Sequence, residues 1–205
     1  MHELPRNQKQ EETQHVLPRE HEHRQRIRYA DDDRMPVKRL IEMRIPSLLI
    51  GLSLGVILSF IMSGFEGTLS RNIQIVFFLP FIVYIADAVG AQTRDIYVRD
   101  LKGGKARFIT YLVKETLIGI ALGILSGAII GTVAWFWLGA SATALAVALG
   151  TIGAVIVAPP VALIIAEILE LEHRDPAVGA GPIATIIQDT LSVVIYGLIA
   201  TAIIL

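Results

Sequence analysis

Cysteine is absent from the 205-residue chain, which excludes disulfides and thiolate metal sites. An apolar core is missing from the first 35 residues, so no cleavable signal sequence is expected. Charged side chains are missing altogether between Thr116 and Ala166. One membrane helix needs about 20 apolar residues, so this uncharged run is long enough for two crossings. Polar faces are also missing from long stretches: 53% of the residues are hydrophobic and the mean hydropathy is +0.59. A soluble domain of this length needs polar faces on its elements, and that class is excluded.

What charge there is lies mostly in the first 44 residues and in two later clusters, although the formal net charge is only -1. Residues 1–37 form a charged arm rich in Arg, Glu, Gln and His, expected to be a disordered cytoplasmic tail. It carries His2, His15, His21 and His23. The triplet His21-Glu22-His23 could offer two imidazoles to a metal, but regular ligand spacing is missing and a solvated arm explains it as well.

Residues 38–205 read as a five-helix transmembrane domain, an all-α integral membrane protein. Residues 36–44 suggest a short amphipathic lead-in lying along the inner surface. Five apolar runs come after it: Ile45 to Phe65, Ile73 into the 90s, Leu112 to Leu138, Ala142 to Ile168, and Pro182 to Leu205. Lipid leaves a spanning backbone to satisfy its own hydrogen bonds, and these runs are too long and uniform for barrel strands. Lys and Arg concentrate before the first helix and between the second and third, where Arg94, Arg99, Lys102, Lys105, Arg107 and Lys114 fall. That bias puts the N-terminus in the cytoplasm and, after five crossings, the C-terminus outside. Gly119, Gly123, Gly127 and Gly131 recur every four residues, a small-residue stripe that lets a second helix approach closely.

Ionisable residues at membrane depth are the natural site candidates, because burying one costs several kcal/mol without a partner or water. Glu66 falls near the outer end of the first helix, where interfacial exposure explains it. Glu115 is expected to begin the third helix, favoured by the helix dipole and by the basic inner loop. Asp87 lies inside the second helix, beside Gly90 and Gln92. Asp189 lies inside the fifth, and Gly181, Thr185, Ser192 and Tyr196 share its helical face. Such a polar stripe suits either a water-filled path or a hydrogen-bond network between helices. If two copies pair about an axis, two Asp189 side chains carry about -2 between them, which matches a hydrated divalent cation.

Two segments carry a family resemblance. Leu79–Leu101 is similar to the MgtE-family stretch with a proline, a GGNAGTQ-like core and a later Val-Arg-x-Leu; Pro80, Gly90, Gln92, Arg99 and Leu101 match. Asp175–Leu198 resembles the family's final helix through Asp175, Pro176, Ala177, Gly181, Pro182, Thr185, Asp189, Ile195 and Tyr196. Lys114-Glu115 followed by Gly119 and Gly123 fits the third helix.

The resemblance covers roughly residues 38–205. It implies a homodimeric pore of five helices per subunit in the cell membrane, passing Mg²⁺ inward down its electrochemical gradient. Asp189 takes the place of the family's pore aspartate, with Thr185 and Gly181 lining the path one and two turns earlier. Mg²⁺ is then the transported ion; no cofactor and no nucleic acid partner is expected.

The chain also departs from the pattern. The family's magnesium-sensing cytoplasmic and CBS modules would not fit in the roughly 40 residues before the first helix, so gating would be absent or supplied by another protein. The family's GGN reads Ala86-Asp87-Ala88, which adds a carboxylate. Asp87 could bind a second ion, pair with Arg94 or alter selectivity. The alternatives are a pathway for another divalent cation such as Co²⁺, or a non-transporting membrane subunit that recruits a partner. An intramembrane enzyme finds no support, since no catalytic His, Ser–Lys or Asp–Asp pair lies at membrane depth.

Overall fold

A computed structural model describes residues 35–104, 106–171 and 176–205. The arm with His2, His15, His21 and His23 lies outside the described residues apart from its last three positions. Six α-helices and one 3₁₀ segment make up the described chain: α1 (Val37–Ser63), α2 (Glu66–Arg71), the 3₁₀ segment (Ile73–Phe78), α3 (Leu79–Lys102), α4 (Phe108–Leu138), α5 (Ser141–Leu171) and α6 (Pro176–Ile204). Among the described residues five spans are long and apolar enough to cross a membrane: α1, the 3₁₀ segment with α3, α4, α5 and α6. The protein is a multi-pass integral membrane protein.

The expected lead-in is not a separate surface element. Residues 37–44 are the first two turns of α1, which continues unbroken through Pro46. A helix can carry a proline when the carbonyls it frees find other donors or water near a membrane end. Residues 66–71, read as a connecting loop, form α2 instead. Asn72 ends α2 and caps the 3₁₀ segment, its Oδ1 accepting from the Gln74 backbone N–H at 3.1 Å.

Helix α5 is the hub, packing against α3, α4 and α6, while α1 leans on α6. α1 has only 6% of its apolar window buried, against 50% for α5. The glycine stripe explains the closest of these contacts. Gly119, Gly123, Gly127 and Gly131 are all buried on α4. A methyl at Gly127 would stand 2.7 Å from the Ala148 carbonyl oxygen and 2.5 Å from Ile152 Cγ1; at Gly131 it would stand 2.6 Å from Ala148 Cβ. Backbone meets backbone along this seam, and dispersion supplies the attraction that the hydrophobic effect cannot supply in lipid. The α4–α5 turn is tight because Gly139 adopts φ 64°, left-handed, and its N–H returns to the Trp135 carbonyl at 2.9 Å.

Polar anchors tie the α2 end of the bundle together. Tyr196 donates to the Ile75 carbonyl at 2.7 Å. Asn72 donates to the Thr143 hydroxyl at 2.7 Å, and the Thr68 and Thr201 hydroxyls share a bond of 2.7 Å. At the opposite end Tyr97 donates to Glu167 at 2.5 Å and Tyr111 donates to Asp100.

Candidate ion site

Asp189 stands in α6 at membrane depth, half-buried, and its Oδ1 is enclosed without any hydrogen-bond partner. An ionised oxygen left bare in this way is costly unless a cation or water reaches it. Thr185, one turn earlier on the same face, is partly buried. Gly181 lies a further turn back, within the first two turns of α6.

Asp87 occupies α3, which packs directly on α6. The fold thus brings together two carboxylates that lie 102 positions apart in sequence, close enough for the charge of Asp87 to act on Asp189. Arg94 does not neutralise this pair. Its Nε donates to Asp95 Oδ1 at 3.1 Å, and among the described residues Arg94 forms no ion pair with Asp87, one of the three roles open to that carboxylate. The physical reason is proximity: Asp95 is the next residue, and its exposed carboxylate lies within reach of the largely buried Arg94 side chain.

The polar stripe divides. Its Asp189–Thr185 half stays partly open, whereas Ser192 is fully buried and Tyr196 is 3% exposed. Ser192 donates to the Gln188 backbone carbonyl at 2.9 Å, and Tyr196 reaches the Ile75 carbonyl. In lipid a buried hydroxyl must find a partner: Ser192 finds it within α6, whereas Tyr196 ties α6 to the 3₁₀ segment.

Two residues at this depth are placed differently from the sequence expectation. Glu115 is not at the helix start: α4 begins at Phe108, two turns before it. Glu115 is 9% exposed and accepts a 2.7 Å bond from Thr93 Oγ1, so it ties α4 to α3. Gln188, overlooked in the sequence, is 4% exposed, and its Oε1 has no partner. The available signal was an amide at i−4 from Ser192, directly before Asp189. Glu66, by contrast, is exposed as expected.

Among the described residues no three His, Cys, Asp or Glu side chains are grouped closely enough to hold a metal directly. What α3 and α6 present is an oxygen-only, two-carboxylate arrangement. Such a donor set suits a hard cation that keeps part of its water shell, and it disfavours soft transition metals.

Comparison with known proteins agrees with this chemistry. A profile of the MgtE family, described as divalent cation transporter, matches residues 79–199. The chain is similar to a protein of Bacillus subtilis (strain 168) named magnesium transporter MgtE, 30% identical over 162 residues. That match covers 78% of this chain and 36% of the relative. The protein of the same name from Enterococcus faecalis (strain ATCC 700802 / V583) is 29% identical over 161 residues, covering 77% of this chain and 36% of the relative. The matched region thus spans about a third of the length of these curated relatives. With the profile spanning more than half of its residues, including the helices that carry both carboxylates, this chain belongs to the MgtE family of divalent cation transporters.

Proposed function

We propose that this protein conducts a divalent cation, Mg²⁺ first among them, across the membrane along a carboxylate-lined path. Asp189 holds the ion, Asp87 faces it from α3, and Thr185 and Gly181 line the approach. The observation that carries this reading is the enclosed, unpartnered Oδ1 of Asp189 beside a second carboxylate in a membrane-spanning bundle. The two relatives named magnesium transporter support the choice of ion.

Two copies complete the path about a shared axis, so that two Asp189 side chains face one another and match a doubly charged ion. The N-terminus and the basic α3–α4 loop face the cytoplasm, and the C-terminus faces outward across the cell membrane. Inward movement then gains about 2.3 kcal/mol per charge for each 100 mV of potential. No resident cofactor is required.

Mg²⁺ flux into proteoliposomes, measured for the wild type and for Asp189→Ala, tests the reading. Flux in the wild type and its loss in a variant that still elutes as a folded, monodisperse species is the expected result. Equal flux in both proteins would sink it.

A further inference from the structure

Beside the carboxylate pair, α3, α5 and α6 line a small open hollow with a cavity volume of ≈ 10 Å³, space for a single small occupant. Asp87 and Arg94 of α3, Ala162 of α5, and Ala184 and Gln188 of α6 are among its lining residues. Gly90 makes room on the α3 side: a methyl there would already touch the Ala158 carbonyl oxygen at 3.5 Å and Ala162 Cβ at 3.7 Å. The Gln188 side chain is 4% exposed, and its amide orientation is set by chemistry. The single proton of the Ser192 hydroxyl goes to the Gln188 backbone carbonyl at 2.9 Å. That hydroxyl can then only accept, and the Gln188 side chain offers it Nε2–H at 3.3 Å. The amide carbonyl oxygen is therefore turned away from Ser192, and it has no partner. A buried carbonyl left bare is destabilising unless something reaches it. A sequence bent only on packing would place Leu or Ile here, as it does at Ile186 and Ile187.

We propose that this hollow is a side site for a divalent cation, in which the Gln188 side-chain carbonyl adds a neutral oxygen to the donor set begun by Asp87. This deepens the proposed transport function and rests on it. The donors are a carboxylate and an amide oxygen, a hard set, so the site takes Mg²⁺ or Mn²⁺ in preference to softer ions. Arg94 lines the same hollow, but its charge is matched locally by Asp95. Gln188 directly precedes Asp189 on α6, so an ion held here lies next to the main path. The site would load the path with a partly dehydrated ion and tune which cation enters it.

Mn²⁺ binding to the purified full chain in detergent, followed by electron paramagnetic resonance, tests the site directly. Gln188→Leu removes the oxygen and should weaken Mn²⁺ binding roughly tenfold, the lower end of what loss of a supporting group costs a metal site. Gln188→Glu keeps an oxygen there and should restore or exceed wild-type binding, which a purely structural role for the amide would not allow. Ser192→Ala frees the amide to rotate and should weaken binding less than Gln188→Leu. Unchanged Mn²⁺ binding in Gln188→Leu would overturn the inference and leave a trapped water as the partner of the carbonyl. So would a loss in Gln188→Leu that Gln188→Glu fails to recover. The Asp189→Ala flux experiment reads the transport function independently: lost flux there with unchanged binding in Gln188→Leu overturns the side site alone.

Discussion

Thr93 of α3 donates a 2.7 Å hydrogen bond to the buried Glu115 carboxylate of α4, a direct polar link between a helix of the ion site and the helix behind it, in addition to the Tyr111–Asp100 bond nearer the helix ends. Few other contacts join α3 and α4, since both pack chiefly on α5. The bond therefore bears on how α3, and with it Asp87, is held.

Replacing Thr93 with Val keeps the shape and removes the donor. The buried carboxylate then loses its partner, at a cost of about 1–3 kcal/mol. Thermal unfolding in detergent should show the loss, and Glu115→Gln, which keeps a group able to accept from Thr93, should lose less. Equal stability of Thr93→Val and wild type would show that the bond is dispensable.

Gly127→Ala should destabilise the protein by ~1–3 kcal/mol, as overpacking does. The new methyl meets both Ile152 Cγ1 and the Ala148 carbonyl oxygen. Trimming Ile152 to Ala in the same protein should not restore stability, because the carbonyl belongs to the α5 backbone and cannot withdraw. Gly67→Ala is the control, with nothing within 4 Å of the added methyl.

Asp87→Asn should leave transport intact in kind but weaken it. Without its negative charge beside Asp189, the half-saturating Mg²⁺ concentration should rise about tenfold, equivalent to roughly 1.4 kcal/mol. Concentration-dependent Mg²⁺ uptake into proteoliposomes measures this. An unchanged half-saturation would remove Asp87 from the path.

Tyr196→Phe should separate structure from conduction on one helix. The variant loses the 2.7 Å bond to the Ile75 carbonyl, leaving that buried acceptor unsatisfied, and should melt lower by an amount equivalent to about 1–3 kcal/mol. Flux per folded molecule should stay near wild type. A selective loss of flux at unchanged stability would instead put Tyr196 on the ion path.

The five crossings and the glycine seam were legible because lipid enforces simple rules. A spanning segment must be long, apolar and internally hydrogen-bonded, and close helix contact needs small residues at a fixed period. Glu115 was misread because its distance from the helix start depended on Phe108–Lys114 joining α4, which the charged flank at Lys114 obscured. Gln188 was missed because an uncharged amide gives no electrostatic signal, and only its burial exposes the bare carbonyl. The stripe on α6 was found, but its division was not: helical periodicity says which residues share a face, not which part of that face a neighbouring helix covers.

Sequence alone determined that this chain lives in a membrane, how many times it can cross, and which acids stand too deep to be explained by solvent. Those conclusions rest on the cost of exposing backbone and charge to lipid, which depends on residue type and spacing. Only the tertiary structure decided that α3 and α6 are neighbours, so that Asp87 acts on Asp189. It also decided that Tyr196 serves the bundle, and that Ser192 turns the Gln188 carbonyl away from itself. These are contacts between groups far apart in the chain, or choices between rotamers of one side chain, and helix packing settles them.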